Sequence, residues 1–159
     1  MNVTLLSSGE EDTLLVARAL GAVLAPGDLV ALTGDLGAGK TIFCKGVGDA
    51  LGVPPSRIVS PGFTIVTEHR GRLPVSHVDV YRLSSEREAL DIGLDEILSG
   101  DHVYLVEWAE KIRFLLPNDC IQVTFLISGG DRRRLKITLP DDPRFSEFRS
   151  RVSPLVPGG

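Results

Sequence analysis

The chain has 159 residues, a formal net charge of −4, 43% apolar residues and 24% charged residues. That is the size and composition of one domain with a core of its own, and the acidic balance excludes a protein that holds nucleic acid by charge alone. The two cysteines, Cys44 and Cys120, form neither a disulfide framework nor a metal-ligand spacing, and no apolar run nears the length of a membrane span. With no basic-then-apolar leader at the start, a cytoplasmic protein without membrane contact is expected.

Ser8-Gly9-Glu10-Glu11 reads as a capping box ahead of an apolar-periodic run, Leu14, Ala17, Leu20, Val23 and Leu24. This predicts a helix over about 9–24, ended by Pro26-Gly27. Residues 29–32 form a short apolar run and predict a buried strand. A glycine-rich turn and a second helix follow, closed by Gly52 and Pro54-Pro55. Gly46 and Gly48 weaken that helix by propensity, so they point to close packing.

The turn between strand and helix is Gly34-Asp35-Leu36-Gly37-Ala38-Gly39-Lys40-Thr41, which fits G-x-x-x-x-G-K-[ST]. Each position has a physical task. Glycines let the backbone curl so that successive N–H groups point at one anion. The following helix sets its positive N-terminal end behind the same phosphate. Lys40 is placed to reach the β- and γ-phosphate oxygens, and the Thr41 hydroxyl to meet Mg2+.

Beyond the loop, 60–64 reads Ser-Pro-Gly-Phe-Thr, and the hydroxyls of Ser60 and Thr64 suit a segment that orders on a γ-phosphate. Gly71 sits between two strand-like runs and predicts a hairpin, the second strand starting at or after Val75. Ser84-Ser85 opens a helical stretch that Gly93 divides into two pieces. Residues 103–106 are a continuous apolar run, as in a strand buried on both faces. A short helical piece is expected over 109–115. The runs 120–127 and 133–139 flank Ser128-Gly129-Gly130-Asp131, a second hairpin signal. Asp142-Pro143 starts a last helix carrying Phe145 and Phe148. The domain is expected to span 1–153, with a disordered tail over 154–159.

Hydrolysis needs an acid near the metal and a group that places water. Such groups stand at the carboxyl ends of strands beside the phosphate loop. Asp79 and Glu107 are the two carboxylates at that position, Glu107 closing the most apolar strand. His77 lies two residues before Asp79 and faces the same side, where a structural role is expected. His69 and His102 read as exposed. Of Arg132-Arg133-Arg134 at the hairpin tip, one arginine is a candidate for a phosphate or adenine contact.

The motifs GDLGAGKT, SPGFTIV, HVDVYRL, GLDEIL and VEWAEKI, in this order, resemble the TsaE (formerly YjeE) ATPases of threonylcarbamoyladenosine modification of tRNA. The likeness covers roughly residues 8–139. It implies ATP and Mg2+ as cofactors, with Lys40 and Thr41 on phosphates and metal. Glu107 matches the family's metal-associated acid, and Asp79 its other essential carboxylate. Arg133 is the most plausible nucleotide contact of the late hairpin, and Glu11 to Thr13 would lie by the nucleotide. The resemblance further implies a nucleotide-driven switch that docks on TsaB and TsaD, touching tRNA only indirectly. One departure stands out: the family's S-P-T-[FY]-T segment carries Gly62 here, which removes a hydroxyl and loosens the backbone.

The competing readings are a small-molecule kinase and a nucleotide-gated adaptor without useful hydrolysis. A transporter ATPase is rejected, because Ile127-Ser-Gly-Gly-Asp131 joins two strands rather than opening a helix. No guanine-reading N-K-x-D motif is present. The expected fold is a three-layer α/β domain of the P-loop NTPase type: a mainly parallel central sheet, one or two antiparallel strands from the hairpins, and helices on both faces.

Overall fold

The computed structural model describes residues 1–59 and 65–158; the 60–64 loop with Ser60, Gly62 and Thr64 lies outside the described residues. The strands are β1 (Asn2–Ser7), β2 (Leu29–Gly34), β3 (Val66–Arg70), β4 (Pro74–Asp79), β5 (Val103–Glu107), β6 (Ile121–Gly129) and β7 (Arg132–Thr138). The α-helices are α1 (Glu10–Gly21), α2 (Lys40–Ala50), α3 (Glu86–Asp91), α4 (Leu94–Ile97) and α5 (Phe145–Val152). A 3-10 helix, Ala109–Leu115, follows β5.

One sheet runs in the order β1-β7-β6-β2-β5-β4-β3. The four middle strands pair in parallel, while β7 is antiparallel to β6 and β1, and β3 to β4. The hairpins thus supply two strands of reversed direction, and the mixed α/β sheet agrees with the expectation. Alternation along the strands sorts two apolar layers. Val30, Leu32, Val103 and Leu105 join α1, α2 and α5 on one face. Leu29, Ala31, Tyr104 and Val106 join α3, α4 and the 3-10 helix on the other. This is why the β2 and β5 runs are apolar throughout: both of their faces are covered. The second layer reaches only β2. On that side β6, β7 and β1 present exposed residues, Leu126, Arg134, Lys136 and Leu6 among them.

Helices α1 and α2 pack closely because Gly46 has no side chain. A Cβ there would stand 2.5 Å from Ala17 Cβ, so close packing is the use of this helix-weakening glycine. The joint between α3 and α4 is Gly93, at φ 75. Ser85 caps α3 by accepting from the Glu88 N–H, and the Glu88 carboxylate accepts from the Ser84 N–H and hydroxyl. These bonds hold the Glu88 carboxyl below its ordinary range.

Several local expectations differ from the structure. Strand β1 was not anticipated; it is a short edge strand of six residues, NVTLLS, whose apolar residues Val3, Leu5 and Leu6 show no strict alternation, and its pairing with β7 makes it. The capping box at 8–11 is not formed. Gly9 is the N-cap, and Asp12 rather than Glu11 reaches back to accept from the Ser8 N–H at 2.8 Å. The α-helix stops at Gly21, with looser turns continuing to Leu24. Asp142 Oδ1 accepts from the Arg144 N–H at 3.0 Å in a turn, and α5 begins only at Phe145. Where a disordered tail was expected from 154, Ser153–Leu155 forms a 3-10 turn with Leu155 packed on the core.

Candidate functional site

The glycine-rich loop leaves β2 and enters α2 through Gly34, Gly37 and Gly39, at φ 155, 79 and 109. These are left-handed values that side chains resist, so the sequence pattern and the backbone path agree. At Gly34 a Cβ would stand 2.9 Å from the Phe125 backbone oxygen, which keeps the loop pressed on β6. Lys40, largely buried, folds back onto the loop. Its ammonium donates to the Gly34 carbonyl and, at 2.9 Å, to the Asp35 carbonyl. The same ammonium lies 4.0 Å from the centroid of the Trp108 ring. Burial pulls the lysine below its ordinary pKa, against the opposing pull of Glu107, Glu110, Asp79 and Asp35.

The parallel register of β4 and β5 sets Asp79 beside Glu107 at the carboxyl ends of both strands. Glu107 is 3% exposed. It accepts from Thr41 Oγ1 through Oε1 at 2.9 Å and Oε2 at 3.2 Å. His77 Nε2 sits 2.5 Å from Glu107 Oε2, and the Cys44 thiol is 4.0 Å from the same oxygen. Ligand atoms of Cys44, His77 and Glu107 lie within 4.8 Å of one another. A soft thiol and an imidazole therefore back the carboxylate from inside, while its outer edge faces Thr41. Burial, then Glu107, pushes the Cys44 thiol well above its usual value, so it stays protonated. His77 is the residue that reading the sequence undervalued. Its position two before Asp79 was the available signal, but its partner, Glu107, comes from another strand. Asp79 Oδ1 accepts from the Tyr81 N–H at 3.0 Å.

Trp108 has φ 62, a positive value it shares with no other non-glycine residue among those described. That strain turns the chain out of β5 and lays the indole over Lys40. Tyr81 packs against it at a ring separation of 4.8 Å. Together Leu36, Gly37, Gly39, Lys40, Thr41, Ile42, Asp79, Glu107 and Trp108 line a cleft of about 290 Å³.

A second cleft of about 240 Å³ opens on the other flank of the loop, lined by Gly9, Glu10, Thr13, Gly37, Ala38, Gly39, Ile42, Asp131 and Arg133. Arg133 Nε donates to the Ala38 carbonyl at 3.1 Å and Nη2 to the Gly37 carbonyl at 3.2 Å. The strand alternation of β7 sends Arg133 to this side and Arg134 to the opposite one. Of the N-terminal trio, Thr13 lines the cleft and bonds Ser7 at 2.8 Å. Glu10 lines it as well, whereas the exposed Glu11 does not. Asp35 and Leu36 form the exposed crest of the loop, Leu36 at 77% exposure. His69 and His102 are half-buried rather than exposed; His102 Nδ1 pairs with the Ser76 hydroxyl at 2.8 Å, far from the loop along β4.

Comparison with known proteins gives the family and the fold. Residues 7–135 match the family model "Threonylcarbamoyl adenosine biosynthesis protein TsaE". The tRNA threonylcarbamoyladenosine biosynthesis protein TsaE of Bacillus subtilis (strain 168) is 46% identical over 130 residues, 80% of each chain. The TsaE of Rickettsia bellii is 37% identical over 87% of this chain and 96% of its own. The crystal structure of Bacillus subtilis YdiB superposes with a TM-score of 0.74 at 35% identity, covering 97% of this chain and 95% of that one. No described helix is long and apolar enough to cross a membrane. With its glycine loop and paired strand-end carboxylates in the motif order noted above, this chain belongs to the TsaE family of threonylcarbamoyladenosine biosynthesis proteins.

Proposed function

We propose that the chain is a Mg2+-dependent ATPase that acts as a nucleotide-driven switch on a TsaB–TsaD pair during threonylcarbamoyladenosine modification of tRNA. The observation that carries this reading is the double hydrogen bond from Thr41 Oγ1 to the Glu107 carboxylate, 2.9 and 3.2 Å, at the mouth of the glycine loop. A helix-start hydroxyl and a strand-end carboxylate are the oxygen donors that Mg2+ takes beside nucleotide phosphates. The donor set fits: Thr41 and Glu107 would hold the ion, with Asp79 on the neighbouring strand. When bound, Mg2+ neutralises charge on the phosphate oxygens.

The protein groups divide the remaining work. Lys40 exchanges the Gly34 and Asp35 carbonyls for phosphate oxygens, a better partner for an ammonium. The loop N–H groups from Gly37 to Thr41 orient the phosphates. Glu107 is held in its rotamer by His77, and Asp79 orients the attacking water. The cleft beside Arg133, Thr13 and Glu10 takes the nucleoside. The acidic net charge fits a protein partner better than direct tRNA contact.

The expected enzyme is slow alone and faster with its partners, because a compensating cation supplied in trans raises related NTPases by roughly 10³–10⁵. By linkage, partners that prefer the ATP form tighten ATP binding by the same factor. The test measures ATP affinity and turnover with and without Mg2+, and with and without the TsaB–TsaD pair. Unchanged affinity and rate while the complex forms would remove the switch; binding indifferent to Lys40→Ala would remove the site.

A further inference from the structure

The sheet is covered unequally, and the uncovered part has its own chemistry. Directly paired residues of an antiparallel sheet share a face. Leu5, Leu135 and Phe125 pair across β1, β7 and β6 and are buried under the α1–α5 layer. One step along, Leu6–Arg134–Leu126 and Thr4–Lys136–Thr124 make two rows on the opposite side. No described helix lies over these rows. Leu6 and Leu126 are 39% and 42% exposed, and Arg134 and Lys136 are exposed between them. Neither cation has an ion-pair partner among the described residues. The rows hold no carboxylate, although the chain as a whole is acidic. The floor ends at a wall, the 3-10 helix, where Arg113 and Glu110 both line a trough of about 200 Å³ with Thr33 and Gln122, so the excess of positive charge lies in the two rows and not in the trough.

We infer that this open face of β1, β7 and β6 is a docking surface for an acidic element of a partner protein, most simply a helix that supplies the missing third layer. The charges decide the partner's sign: Arg134 and Lys136 call for carboxylates facing the middle strand. The apolar flanks Leu6 and Leu126 call for aliphatic side chains on either side of them. A single-stranded RNA surface would offer aromatic rings for base stacking, and the two rows contain none. The location suits a partner that senses nucleotide. Arg133, adjacent to Arg134 on β7, holds the Gly37 and Ala38 carbonyls of the phosphate loop from the other side of the same strand. A load on one face of β7 is therefore one residue from the loop.

The inference rests on the partner reading proposed above, and the experiment separates the two. Titration calorimetry follows the whole chain binding to the TsaB–TsaD pair with ATP and Mg2+ present. Three proteins are compared: wild type, R134E/K136E and the neutral R134Q/K136Q. The reversed variant is expected to bind at least about tenfold more weakly and the neutral one to fall between. ATP affinity and melting temperature of both variants alone remain those of wild type, because the substituted side chains are exposed and turned away from the clefts. Wild-type affinity in R134E/K136E overturns the docking surface and leaves the ATPase switch standing. Failure of the wild-type chain to bind the pair overturns the partner reading, and this surface with it. A parallel tRNA titration in which R134E/K136E alone loses binding, with affinity for the pair unchanged, overturns the surface in favour of an RNA-binding face.

Discussion

The two flanks of the phosphate loop differ in the groups that touch it. On the Thr41 flank, carboxylates converge: Glu107 is buried and bonded by Thr41 and His77, with Asp79 one strand away. On the other flank a guanidinium, Arg133, holds the outer loop by its carbonyls, beside Thr13 and Glu10 of α1. The acidic flank suits a cation and a reacting water. The flank with the arginine suits an uncharged, hydrogen-bonding nucleoside against a braced backbone. The difference teaches that one glycine loop can serve two tasks, because the groups on either side of it come from separate strands.

The harshest break strikes both flanks at once. On the proposed reading Lys40→Ala removes the loop's side-chain cation for the phosphates, and ATP affinity is expected to fall about 100-fold, about 3 kcal/mol. Equilibrium titration with a fluorescent ATP analogue measures it, and binding within twofold of wild type would reject the loop as the phosphate site. Next in size is the acidic flank alone. Glu107→Ala is expected to lower turnover about 10²-fold with ATP affinity changed far less, since on the proposed reading this carboxylate serves the metal rather than holding the phosphates. Asp79→Ala follows the same pattern. Steady-state ATPase assays beside the binding titration separate the two effects, and full turnover in Glu107→Ala removes the metal assignment.

Smaller effects sharpen the contrast. Thr41→Ala should leave binding without Mg2+ near wild type and abolish the gain on adding Mg2+, read by titration with and without a chelator. On the other flank, Arg133→Ala is expected to weaken ATP binding about tenfold, about 1.4 kcal/mol, while turnover at saturating ATP stays within about threefold. A larger loss of turnover than of affinity in Arg133→Ala would erase the distinction between the flanks. The smallest expected change lies remote from both, at the α3 cap. The Glu88 carboxyl is held below its ordinary value by Ser84. Its stabilising bonds are therefore present above the unfolded value and lost as pH falls through the folded one. Glu88→Gln should remove that acid-side slope from the melting temperature while leaving ATP binding unchanged.

By itself the sequence determined the glycine loop, both hairpins, the divided helix at Gly93 and the two carboxylates at strand ends. These are local signals: positive-φ glycines, apolar runs and turn residues act over a few neighbours, so they are legible without the fold. The edge strand β1 was decided by tertiary structure, through its pairing with β7. The shifted N-cap of α1 and the late start of α5 rest on competing local bonds, the Asp12 and Asp142 carboxylates accepting from the Ser8 and Arg144 N–H groups. The roles of His77 and Arg133 were likewise decided in three dimensions. His77 meets Glu107 only because β4 lies beside β5, and Arg133 meets the loop only because β6 and β7 fold back toward it. The open face of β1, β7 and β6 was beyond the sequence for the same reason. Its rows join residues from both ends of the chain, and the alternation that marks the polar side of β7 does not say which strands lie beside it or whether a helix covers that side.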